Sequence, residues 1–140
     1  MCTAATYKTR DFYFGRTLDH GCSYGEEITI TPRNHPFLFR EMKPLKHHYA
    51  MIGTAFIAQD YPLYYDAVNE KGLAIAGLNF TGNAYYGLPV QGRDNLAVYE
   101  LIPWLLGDCA TVKVCQKKLE KVNLTNISIN DELPVAQLHW

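Results

Sequence analysis

Long apolar runs are missing from this 140-residue chain. No stretch approaches the roughly 20 residues that a membrane-spanning helix needs, so neither a helical anchor nor a membrane partner is expected. No basic leader precedes an apolar run, so no secretory signal is expected and the reading is cytoplasmic. Charge of one sign is also lacking: 13 Lys and Arg stand against 14 Asp and Glu, a formal net charge of −1. That balance gives no electrostatic reason to expect nucleic acid or an anionic lipid surface as partner. Cysteine is sparse, and Cys2, Cys22, Cys109 and Cys115 form no C-x-x-C pair. His47-His48 has no cysteine at zinc-ligand spacing, so no metal and no other cofactor is expected. Without a secretory signal the thiols are expected to be reduced. There is no low-complexity linker and no internal repeat, and the length fits one domain.

Aromatic residues are plentiful, with 10 Tyr and 6 Phe in a chain that is 48% hydrophobic. Such a composition argues against disorder and favours β structure. Thr3-Ala4-Ala5-Thr6-Tyr7 is rich in strand formers, Thr9-Arg10-Asp11 reads as a turn, and Phe12-Tyr13-Phe14 as a second strand. An antiparallel hairpin here brings Cys2 opposite Arg16 or Thr17, depending on register. Met1 is normally trimmed before a small residue, and Cys2 would then carry a thiol and a free α-amine together. The amine titrates near neutral pH, so this nucleophile brings its own base. Arg16 beside the thiol would favour the thiolate. Asp19, just beyond the strand end, could bind the α-ammonium. The bland alternative for Arg16 and Asp19 is a surface ion pair of little energetic weight.

Further along, Glu27–Thr31 alternates polar and apolar residues, as a half-buried strand does. Residues 40–48 read as an exposed basic loop or hairpin, 49–57 as a long buried strand, and 60–66 as a Pro-bearing loop crowded with aromatic rings. Asn69-Glu70-Lys71-Gly72 is a turn, and 73–80 an apolar strand carrying one amide, Asn79. Asp94 or Asn95 caps a helix through Leu96, Tyr99, Ile102, Leu105 and Leu106, with a kink or break predicted at Pro103. A second helix starts near Thr111, with Val112, Cys115, Leu119 and Val122 on one face and Cys115 in the core. Residues 133–140 read as a strand just beginning, with no partner and no stop signal.

Four stretches together carry a resemblance: Met1-Cys2-Thr3, Gly15-Arg16-Thr17-Leu18-Asp19, Asn69-Glu70-Lys71-Gly72-Leu73 and Ala76-Gly77-Leu78-Asn79-Phe80. In order and spacing they resemble the choloylglycine hydrolase family, which contains bile salt hydrolases and penicillin V acylases, all N-terminal-nucleophile hydrolases. The resemblance runs along the entire chain but covers less than half of a family-length protein. It implies an α+β fold, part of a four-layer αββα sandwich of antiparallel sheets. This chain would be the N-terminal portion of one such domain, truncated after Trp140. Residues 1–140 alone are then expected to be catalytically weak and self-associating, because the family's downstream Asn and Arg have no counterpart.

The implied chemistry is hydrolysis of the amide that joins a bile acid to glycine or taurine. Cys2 attacks, Asn79 holds the oxyanion, and Arg16 and Asp19 support thiolate and amine. Leu18, Ala58 and Tyr65 would line the acyl pocket, and the family suggests a homotetramer. Penicillin V acylases tend to carry tyrosine where Asn79 stands, which tilts the reading toward bile salts. The alternatives are a penicillin V or N-acyl lactone acylase of the same family, or a non-catalytic fragment that only folds or binds.

Overall fold

The computed structural model describes residues 2–140. The first two strands, β1 (Thr3–Lys8) and β2 (Phe12–Thr17), form the expected hairpin across Thr9-Arg10-Asp11. Strands β3 (Glu27–Thr31), β4 (Met51–Ala58), β5 (Tyr61–Asn69) and β6 (Ala74–Ala76) make one antiparallel sheet in that order. Then come β7 (Leu78–Asn79), β8 (Asp94–Ala97), helices α1 (Leu101–Asp108) and α2 (Val112–Leu119), β9 (Val122–Thr125) and β10 (Leu138–His139). The result is mixed α and β with antiparallel sheets, except that β8 pairs parallel with β9.

The core lies between α1 and one face of the four-stranded sheet. Met51, Ala55, Tyr64 and Ala67 from the sheet meet Leu101, Trp104, Leu105 and Leu106 from the helix. Gly53 lets β4 and β5 approach, since a Cβ there would lie 2.0 Å from the Asp66 carbonyl oxygen. Asn69, 4% exposed at the end of β5, ties sheet to helix. Its Nδ2 donates to the Leu106 and Cys109 carbonyls at 2.7 and 2.8 Å, two groups that a helix end leaves unpaired. Its Oδ1 accepts from the backbone N–H of Lys71 and Leu73. Asn69→Ala strands all four groups, several of them buried, and should destabilise the fold by about 3 kcal/mol in urea unfolding.

The turn that follows is the one expected: Gly72 has φ +80° and its N–H donates to the Asn69 carbonyl. Glu70 accepts from Arg33 Nε and the Ala50 N–H, and the Arg33 hydrogen bond is the main cause that brings its carboxyl down to about 2. A carboxyl lowered on folding contributes stability that is present above its ordinary 4.5 and is lost as pH falls toward 2. The stability gap between the native protein and Arg33→Ala should therefore narrow across that window in urea melts.

Several elements depart from the sequence reading. Residues 61–66 are strand, not loop, and only Asp60 of that stretch stays in a turn; Pro62 sits in β5 opposite Ile57, at a point where β6 does not reach, so its missing N–H costs no ladder bond. Ile28 and Ile30 are 68% and 70% exposed, while Thr31 turns inward and its hydroxyl meets Tyr64 Oη at 2.6 Å. With Ile52, 41% exposed and opposite Ile30, they leave an apolar row on the outer face of the sheet. The helix predicted from residue 94 begins at Leu101, because residues 94–97 pair with β9 instead. Pro103 therefore falls in the first turn of α1, where no helical N–H partner is required, and no kink is needed. The 73–80 strand is split at Gly77, whose N–H bonds to the Tyr65 carbonyl before β7 turns away to pair with β10. Residues 138–139 thus have a partner. The stripe on α2 is mostly open, with Val112 63% and Leu119 39% exposed. Cys115 packs against the core and Lys118 lies over the ring of core Trp104; burial pushes the Cys115 thiol up to about 12. Among the described residues no helix is long and apolar enough to cross a membrane.

Candidate active site

A cavity of about 600 Å³ opens between the start of the hairpin, β5, β7 and the 128–140 segment. Cys2, Arg16, Tyr65 and Asn79 all line it, brought together from positions far apart in the chain. Asp19, Leu18 and Ala58 are outside its lining. Ala58 is 7% exposed at the far end of β4, and half-buried Leu18 leads out of β2.

The hairpin register corrects the sequence reading of Cys2. Thr3 pairs with Thr17 and Ala4 with Arg16, so Cys2 lies one residue beyond the last pair, opposite neither Arg16 nor Thr17. The three-residue connection Thr9-Arg10-Asp11 sets that offset. Alternation still serves the site: Cys2 and Ala4 are two apart, so Cys2 falls on the hairpin face that carries Arg16. The Thr3 N–H donates to Thr17 Oγ1 at 3.0 Å and pins the strand start.

Arg16 is not a surface charge. Its side chain is 7% exposed, and its Nη1 donates to Asp66 Oδ2 at 3.2 Å. Nη2 donates to the Gly77 carbonyl at 3.0 Å, and Nε is buried without a hydrogen-bond partner among the described residues. Asp19 is exposed, and its carboxyl is held below the ordinary value. Met1, whose removal the sequence reading calls for, lies outside the described residues.

Asn79 sits on β7 opposite Leu138. The Thr81 hydroxyl donates to its Oδ1 at 2.8 Å, which leaves the amide NH₂ as the remaining polar end of the side chain. Tyr65 owes its place to a β-bulge: Thr54 pairs with Asp66 and Ala55 with Tyr64, so Tyr65 is skipped in the ladder. Burial pushes its phenol above the ordinary value, and its ring meets His20 edge-on at 5.5 Å.

The rest of the wall is largely apolar, with Phe56, Leu63, Val98, Ile102, Ile129 and Leu133. His20, Tyr24 and most of the 128–137 segment escaped the sequence reading. That segment has no periodicity to betray it; Leu133-Pro134-Val135-Ala136 was a cue, an apolar run beside a proline. Glu100 underlies this side of the cavity, 0% exposed, with its carboxylate accepting from the N–H groups of Arg40 and Ala97. Burial pushes it above the ordinary carboxyl value against those two hydrogen bonds. Among the described residues no cluster of His, Cys, Asp or Glu is gathered as a metal ion would require.

A family model described as linear amide C–N hydrolases, choloylglycine hydrolase family, matches residues 2–140. The bile salt hydrolase/transferase of Lactiplantibacillus plantarum is 51% identical over 140 residues, which are 100% of this chain and 43% of that protein. The conjugated bile acid hydrolase of Lactobacillus gasseri is 41% identical over 143 residues, covering 100% of this chain and 45% of its own length. The chain thus spans less than half the length of these curated relatives. Among solved structures, a mutant conjugated bile acid hydrolase from Clostridium perfringens superposes with a TM-score of 0.93 at 34% identity. That match covers 100% of this chain and 44% of the other.

Proposed function

Because the chain belongs to the choloylglycine hydrolase family of linear amide C–N hydrolases, we propose that the protein hydrolyses the amide between a bile acid and glycine or taurine. We place this chain as the N-terminal portion of a single such domain, assembled as a homotetramer at full length. The observation that carries the reading is the cavity itself: Cys2, Arg16 and Asn79 share one pocket with a wall of apolar side chains. An apolar surface with few polar groups suits one face of a steroid acid.

With Met1 removed, Cys2 bears a free α-amine, which takes the proton of the Cys2 thiol to give a thiolate and an α-ammonium. Its thiolate attacks the amide carbonyl carbon, and the carbonyl oxygen takes the charge within reach of the Asn79 amide. The C–N bond breaks, the α-ammonium gives its proton to the departing glycine or taurine nitrogen, and a thioester on Cys2 remains. The amine then takes a proton from water, hydroxide adds to the thioester, and the free bile acid leaves as the thiol re-forms. Asp19 holds the ammonium, and Tyr65 contacts the acyl group. Leu18 and Ala58 support the pocket from outside its lining.

The test is an amine-release assay on glycocholate, taurocholate and penicillin V with the full-length protein, of which this chain is placed as the N-terminal portion, freed of Met1. Release of glycine or taurine is the expected result. Cleavage of penicillin V alone would replace the bile-acid reading with its acylase relative, and no cleavage of any of the three would favour a non-catalytic role.

A further inference from the structure

Asp66 is a carboxylate in the middle of a central strand, where packing alone calls for an apolar residue. It pairs with Thr54 on one side and Ala76 on the other, and its side chain is 16% exposed. Its partner comes from 50 residues away: Oδ2 accepts from Arg16 Nη1, while Oδ1 accepts from the Thr54 N–H at 3.4 Å. The Gly77 carbonyl takes the other end of the same guanidinium. These two contacts use Nη1 and Nη2 and leave Nε, buried and without a partner among the described residues, on a side chain that lines the cavity with Cys2. We infer that Asp66 is the positioning residue for Arg16, holding the guanidinium at the cavity that Cys2 also lines. This rests on the reading of the Cys2 cavity as the catalytic site.

The physical reason is the cost of an unpaired buried charge. A guanidinium that is 7% exposed depends on its counter-ion. Without Asp66 the cation is uncompensated, and one carbonyl cannot hold it against hydration, so the side chain leaves for water. Asp66→Asn keeps the shape and the acceptor for Thr54 but removes the charge.

The experiment is the pH profile of Cys2 alkylation by iodoacetamide, followed by mass spectrometry, in folded protein freed of Met1. Arg16→Gln should move the profile to higher pH. Asp66→Asn should move it the same way and by as much, the double variant should move it no further, and Asp66→Glu should restore most of the native profile. An unmoved profile in Asp66→Asn would overturn the inference, as would shifts that add in the double variant. A shift to lower pH would mean that Asp66 only neutralises Arg16, and would also overturn it. Should Asp66→Asn fail to fold, Asp66→Glu and Arg16→Gln still decide: a Glu variant that matches Arg16→Gln removes the positioning role. Alkylation needs no turnover, so failure to cleave bile conjugates would sink the functional reading without being confused with these outcomes.

Discussion

Cys2→Ala should bring the release of glycine from glycocholate below detection while leaving the fold intact. Every residue of β1 is exposed, and half-buried Cys2 precedes its first ladder pair, so removing one sulfur atom should cost no more than about 0.5 kcal/mol in urea unfolding. The chemical loss is complete because no other group in the cavity offers a nucleophile next to its own amine. Cys2→Ser should also be poor, since a hydroxyl is far less ionised than a thiol. Turnover in Cys2→Ala at the native rate would remove the mechanism.

Asn79→Ala should slow hydrolysis by about 10²–10³, the usual cost of one oxyanion donor. The loss should fall on kcat more than on KM, because the donor matters most when charge has moved onto the oxygen. The geometry adds a refinement. Thr81 fixes Asn79 by donating to Oδ1, so Thr81→Val should show a smaller loss of the same kind by freeing the amide to rotate. Equal kcat in native protein and Asn79→Ala would mean that the amide only caps the end of β7.

What could be read in the sequence was local. The hairpin 3–17 was visible from its strand formers and its three-residue turn, and Gly72 from the positive φ that its turn demands. The hairpin's register was not visible, because a one-residue change in the connection moves every pair. Ile28 and Ile30 alternate correctly, but alternation says which residues share a face and not which face is covered. Pro62 looked like a breaker, since nothing local tells that β6 stops short of it. The start of α1 was lost to a parallel pairing between residues 94–97 and 122–125, contacts too distant for any window.

The site follows the same division. Cys2, Arg16, Asn79 and Tyr65 were named from motifs and resemblance, and the structure gathers them in one cavity. The sequence reading sets Arg16 beside the thiol, with a surface pair to Asp19 as the bland alternative, whereas the structure pairs it with Asp66 on β5 in a buried ion pair. Long-range charge pairing leaves no periodic trace, and neither does an irregular wall such as residues 128–137.

The most direct measurement is capture of the acyl intermediate. Protein freed of Met1 is mixed with glycocholate, quenched in acid within the turnover time, digested, and its peptides weighed. A cholyl group is expected on the peptide that begins at Cys2, released by hydroxylamine as a thioester is and missing from Cys2→Ala. Glycine release with Cys2 unmodified throughout, or with the cholyl group carried by another residue, would contradict this mechanism.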